Sequence, residues 1–163
     1  MNTFSKLVVA AIITATAVPC LTAQTVKVGT FNRTSLIVAF YSSPQWADVL
    51  KQKEIERQEA MKANDQEKVK EIEHWGGSAQ EMAERQLAGA TSIQNIVDLM
   101  RPIFPDIAAK AHVSMIVTGL AYADATVERV DVTDLLLDSL KASPRTRKEL
   151  EEMRKAKKTG KSQ

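Results

Sequence analysis

"EIEHWGGSAQEMA" occupies residues 71–83, in the middle of the most charged part of the chain. On either side the sequence is dominated by Glu, Lys, Gln and Arg, residues that lose little freedom in a helix. At its centre stand Trp75 and the pair Gly76-Gly77. Glycines accept the left-handed conformations that close a helix. Ser78, followed three residues later by Glu81, has the form of a capping box that opens another. The stretch therefore predicts the tip of a helical hairpin, with Trp75 at the turn.

Upstream of that tip, Ser43 is a natural N-cap and Pro44 sits at the first helical position, where its missing N–H costs nothing. No glycine or proline interrupts residues 45–74. About 30 residues at ~1.5 Å each make a helix ~45 Å long. Its apolar stripe is thin, consisting of Trp46, Val49, Leu50, Ile55, Met61, Val69 and Ile72. Downstream, a second helix is expected over residues 79–111. Ala83, Ala90, Ile93, Val97, Met100, Phe104, Ile107 and Ala111 step by threes and fours, with Gln86 as the polar member of the series. That spacing is a coiled-coil-like seam against the first helix. Pro102 and Pro105 each remove a helical hydrogen bond, which predicts a kink or short break near Arg101.

Outside the hairpin the β-branched residues cluster. "TVKVGTF" alternates and predicts a strand over residues 26–31; "HVSMIVTG" predicts a second over 113–118, and residues 127–132 a third. Asn32 is placed to cap a short helix carrying Leu36, Ile37, Phe40 and Tyr41; Thr133 or Asp134 caps a closing helix with Leu135, Leu136, Leu137 and Leu140. The fold class is α+β: a small body of three short strands with a long antiparallel helical hairpin arm inserted in it. The body comprises residues 24–43 and 112–143, the arm 44–111, and a basic tail 144–163. A body of roughly 50 residues buries little surface by itself, and its strand edges stand open. Both features point to oligomerisation through the strands, with Val26, Val28, Val113, Met115, Val117, Val127 and Val130 as the residues that build the body and its subunit contacts.

The first 23 residues stand apart. Lys6, the apolar run "LVVAAIITATAV" and the small-residue end "LTA" have the layout of a secretory signal peptide cleaved after Ala23. The run is short for a membrane span, which needs ~20 residues. An uncleaved anchor and a lipoprotein signal at Cys20 are the alternatives, although Pro19 fits the latter poorly. Cleavage removes the one cysteine, leaving an exported chain without disulfides. Asn32-Arg33-Thr34 matches a glycosylation sequon, a pattern short enough to arise by chance.

The whole chain has 22 basic and 20 acidic residues, and Lys6 leaves with the signal. Residues 144–163 hold eight basic and three acidic groups, so residues 24–143 hold 13 and 17. The basic tail would be attracted to an anionic membrane surface, or is a solvated, frayed helix end. Export and an acidic body argue against nucleic acid as a partner. His74 and His112 lie near opposite ends of the expected second helix, and no phosphate-binding glycine loop or metal-type cluster occurs. The expectation is that the protein is not an enzyme and takes no cofactor or metal.

The order of these features resembles the OmpH/Skp family of periplasmic chaperones. The resemblance is carried by the signal peptide, the "VKVGTFN" strand, the long charged hairpin and the closing "VSMIVTG…YADATVERVDVTDLLLDSLK", above all by "VDVTDLLLDSLK", where a strand passes through an Asp-x-Thr step into the final helix. It spans residues 25–142. The resemblance implies a homotrimer whose strands assemble a β-barrel body, with three hairpins enclosing unfolded outer-membrane proteins without ATP. Distributed apolar contacts on a charged arm suit such holding, and flexible methionine suits it well. Met61, Val69, Ile72, Trp75 and Met82 are the candidate client contacts. Val69, Ile72 and Met82 serve equally to seal one arm helix against the other, and Trp75 either faces clients or staples the turn. Two features depart from the family. Residues 45–112 carry nine basic and twelve acidic groups where family members are strongly basic, and the basic tail is an addition. The rival reading is an exported coiled-coil adaptor for one specific envelope partner.

Overall fold

A computed structural model describes residues 25–158, with side chains through residue 156. The expected signal peptide, Cys20 included, and the last five residues lie outside it. The elements run β1 (Val26–Thr30), α1 (Arg33–Tyr41), α2 (Pro44–Lys62), α3 (Gln66–Leu87), α4 (Gln94–Met100), a 3-10 turn (Arg101–Ile103), α5 (Phe104–Ala111), β2 (Met115–Val117), β3 (Val127–Asp131), α6 (Thr133–Ser139) and α7 (Pro144–Lys158). The architecture is mixed helix and strand, mostly helical, around one three-stranded sheet.

All three strands are parallel, in the order β2-β1-β3. Val28, Gly29 and Thr30 of the central strand stand opposite Met115, Ile116 and Val117; on the other side Val26 pairs with Val127 and Thr30 with Asp131. Gly29 sits where there is little room for a side chain. A Cβ there would stand 3.1 Å from Ile116 Cγ1 and 3.2 Å from both Val113 Cγ2 and Val132 Cγ1. Phe31, Ile116, Val130 and Val132 join α1, α4, α5 and α6 in the core, through Leu36, Ile37, Phe40, Ile96, Met100, Ile107, Leu136 and Leu140.

The caps fall largely where the sequence puts them. Asn32 Oδ1 accepts from the Ser35 amide at 2.8 Å, and Ser43 Oγ from the Trp46 amide at 3.2 Å with Pro44 at the first helical position. At the head of α6, Asp131 rather than Thr133 or Asp134 takes the helical amide, accepting from Thr133 N at 2.8 Å, while Thr133 Oγ1 accepts from the Asn32 amide.

The helix break is elsewhere than expected. Gly76 and Gly77 lie inside α3, which runs unbroken through them, and Ser78 caps nothing; its Oγ sits 3.2 Å from His74 Nδ1. The break falls at Ala63-Asn64-Asp65. Asn64 is left-handed (φ 58°), its amide donates to Met61 O, and the Asp65 amide donates to Ala60 O at 2.9 Å. This is the six-to-one, five-to-two closure of a Schellman motif. Asp65 then caps α3 by accepting from Lys68 N at 3.0 Å. The same closure recurs at Gly89, His112 and Lys141, so asparagine, histidine and lysine do what was expected of glycine.

The second expected helix, residues 79–111, is likewise not continuous. Gly89 (φ 78°) ends α3, and the interruption expected near Arg101 takes the form of the 3-10 turn. Ile93, Ile96, Met100 and Ile107 are spent in the body core. Residues 88–111 therefore belong to the body, and the arm is α2 and α3 alone. The tail is not frayed over its described part. Leu150 of α7 is buried in the core, Arg147 pairs with Asp138, and Arg154 reaches Ser35 Oγ and Asp134.

Candidate interaction surface

Two successive aromatic contacts run from the end of α1 through α2 to α3. Tyr41 at the end of α1 meets Trp46 edge to face (5.0 Å between centroids), and Trp46 stacks on Trp75 at 6.1 Å and 29°. Lys53 Nζ stands 5.7 Å from the Trp75 ring centroid. Trp75 is thus half-buried between α2 and α3, well back from the turn at Asn64, and not at a tip. Beside this stack lies Gln86, fully buried. Its Oε1 accepts from Tyr41 Oη at 2.9 Å, and its Nε2 donates to Ser92 O and Asn95 Oδ1. Gln86, which interrupts the apolar seam, ties the foot of α3 to α1 and to the loop before α4. Burial pushes the Tyr41 hydroxyl above its ordinary value, an effect partly opposed by the Asn95 side chain.

The five arm residues separate into two groups. Val69 and Ile72 are buried on α3, as Ala60 is on α2, and seal the two helices together. Met61 and Met82 are open, 53% and 44% exposed. They are joined on the arm by Val49, Leu50, Ile55 and Leu87, all exposed and none singled out from the sequence as a contact. Of these only Ile55 carried a signal, since on the helical wheel of α2 it stands on the face opposite Trp46; Val49 and Leu50 fall on the Trp46 side.

The strand residues also divide. Paired positions in a parallel ladder share a face, so Val26 and Val28 look the same way as Met115, Val117 and Val127, away from the core. Of these, Val26 and Met115 are exposed, Val117 and Val127 half-buried, and Val28 buried. Val130 packs on the core and Val113 is buried just ahead of β2.

One concave site lies at the junction of arm and body, in a groove of about 280 Å³. Phe40, Trp46, Val49, Leu99, Ile103 and Leu140 form most of its wall, with Gln45 and Ser139 as its polar members. Leu99 projects at its mouth, 67% exposed. Among the described residues no group of three His, Cys, Asp or Glu side chains is gathered as a metal set, and no helix is long and apolar enough to cross a membrane. Comparison of the chain with protein-family models, curated proteins and solved structures finds no match.

Proposed function

We propose that this protein is an ATP-independent periplasmic holdase that binds unfolded outer-membrane proteins and keeps them from aggregating. The observation that carries the reading is the arm surface. Val49, Leu50, Ile55, Met61, Met82 and Leu87 stand exposed on two helices, residues 44–87, that carry seven basic and ten acidic side chains. Isolated apolar groups on a highly solvated support make many weak contacts, which is what a binder of varied unfolded chains requires, since each client must also leave. In this reading α2 and α3 form an antiparallel hairpin, and three copies join through the outward sheet face of Val26, Met115, Val117 and Val127, so that the arms surround a shared space. The open strand edges support such assembly. The leader-like N-terminus supports export, and the resemblance to the OmpH/Skp family supports the client class.

A second reading, an exported adaptor for one folded partner, is favoured by Val69 and Ile72, whose apolar surface is spent inside the arm. Light scattering separates the two. A urea-denatured outer-membrane β-barrel is diluted into buffer with the mature protein or with a variant carrying Met61→Ser, Met82→Ser and Leu50→Ser. The holdase reading expects suppressed scattering from the wild type and weaker suppression from the variant. Scattering unchanged by the wild type would remove it.

A further inference from the structure

Methionine is among the residues most often buried, yet the described methionines are distributed the other way. Met100 alone is in the core, whereas Met61, Met82, Met115 and Met153 are exposed. Two of these four stand on the arm. Met61 follows the buried Ala60 about 100° round α2, and Met82 lies about 80° round α3 from the buried Ile72. Each thioether therefore stands at the margin of the seam between the two helices, open to solvent and outside the packing that holds the arm together. At the helix closure before Asn64, Met61 contributes its carbonyl and not its side chain. Cys20, the one cysteine of the chain, leaves with the expected leader, so the sulfur that an oxidant meets is thioether sulfur.

We infer that Met61 and Met82 are sites of reversible sulfoxidation, through which hydrogen peroxide weakens the hold of the arm on its clients. The inference rests on the holdase reading and adds its regulation. The thioether sulfur attacks one peroxide oxygen, an S–O bond forms and the O–O bond breaks. The proton on the transferred oxygen passes to the departing hydroxide, which leaves as water; sulfur is oxidised by two electrons and the peroxide reduced. A sulfoxide reductase removes the oxygen as water at the expense of two thiols, which join as a disulfide. The sulfoxide keeps the length of methionine but presents a polar group where a flexible apolar end had been. Because both side chains are exposed, the helices carry the change without repacking, and contact is lost while the fold is kept. Val49, Leu50, Ile55 and Leu87 stay apolar, so holding is weakened and not abolished.

The test treats the mature protein with hydrogen peroxide, quenches it, and maps the added oxygen by peptide mass spectrometry before the scattering assay with a denatured outer-membrane β-barrel. Met61, Met82 and Met153 are expected to gain one oxygen each, and Met100 none. The oxidised protein should need a concentration about fivefold higher for half-suppression, the scale of two weakened surface contacts, with its circular dichroism unchanged. Methionine sulfoxide reductases should restore the original value. Met61→Leu with Met82→Leu is expected to hold clients like the wild type before treatment and to lose nothing after it, although Met115 and Met153 remain. Met153→Leu is expected to lose as much as the wild type does. An oxidised wild type that holds as well as the untreated protein overturns the inference, as does a double-leucine variant that loses as much as the wild type. So does oxidation of Met100 as fast as Met61 and Met82, since the loss would then follow unfolding. The two claims fail differently. An untreated wild type that suppresses nothing removes the holdase reading and its regulation together. Suppression that survives full oxidation of Met61 and Met82 removes the regulation alone.

Discussion

Replacing Gly76 and Gly77 together by alanine should stabilise this protein. Both lie inside α3, neither has a positive φ, and a Cβ at either would meet nothing within 4 Å. Glycine in a helix interior is about 0.8–1.0 kcal/mol less favourable than alanine, because the unfolded chain has more freedom to lose. With no clash to subtract, the double variant gains about 2 kcal/mol, a rise of roughly 4–8 °C in melting temperature for a chain of this size. Urea unfolding followed by circular dichroism at 222 nm, at one fixed protein concentration, should show a higher midpoint with an unchanged slope. Gly89→Ala is the control with the opposite sign. Its φ of 78° belongs to a helix-closing residue, and a Cβ there would lie 3.5 Å from Arg33 Nη1, so a loss of about 1 kcal/mol is expected. If the double alanine variant instead loses stability, residues 76–77 form a left-handed turn, the helix does not pass through them, and the arm ends there and not at Asn64.

Other substitutions probe the remaining joints. Lys141→Gly should raise stability by about 1 kcal/mol, since lysine at φ 53° carries a left-handed cost that glycine does not; calorimetry reads it. Leu150→Ala should cost about 2–5 kcal/mol in chemical denaturation if α7 is part of the core, and close to nothing if the tail is loose. Gln86→Leu removes the acceptor of the Tyr41 hydroxyl and the donor to the Ser92 carbonyl; Tyr41 is half-buried and Ser92 exposed, so water recovers part of the loss and a cost of about 1 kcal/mol is expected, with altered tryptophan emission at the arm root. Because the folded state holds the Tyr41 proton more tightly than the unfolded state, its contribution is fully present below pH ~10 and is lost as pH rises through the higher folded value; Tyr41→Phe should remove that part of the alkaline slope.

Much of the frame was legible in the residues. Alternation and β-branching marked the three strands, and Asn32, Ser43 and Pro44 marked two helix starts, because these signals act within a few residues of themselves. The turn of the arm was not legible for a local reason as well. Gly76-Gly77 is the stronger turn signal by composition, but Asn64 can be left-handed at modest cost, and Asp65 immediately supplies the next cap. Two glycines inside a 22-residue helix are tolerated because neighbouring Ile72 and Val69 pack on α2. The break at Gly89 hid behind heptad-like spacing that continues on the far side, where Ile93, Ile96 and Met100 serve a different partner, the body. Docking of α7 rests on Leu150 and Thr146 in a run of charges, and a segment so polar overall reads as a solvated helix. The groove was out of reach of any local pattern, since its walls come from α1, α2, α4, the 3-10 turn and α6. Leu99 and Val49 gain meaning only once those segments meet.

Native mass spectrometry of the mature protein, alone and after dilution of a denatured outer-membrane β-barrel into it, tests the central claim most directly. The account predicts a trimer that takes up one unfolded client and releases neither subunits nor client on gentle activation. A monomer or dimer whose mass is unchanged by the client would contradict it.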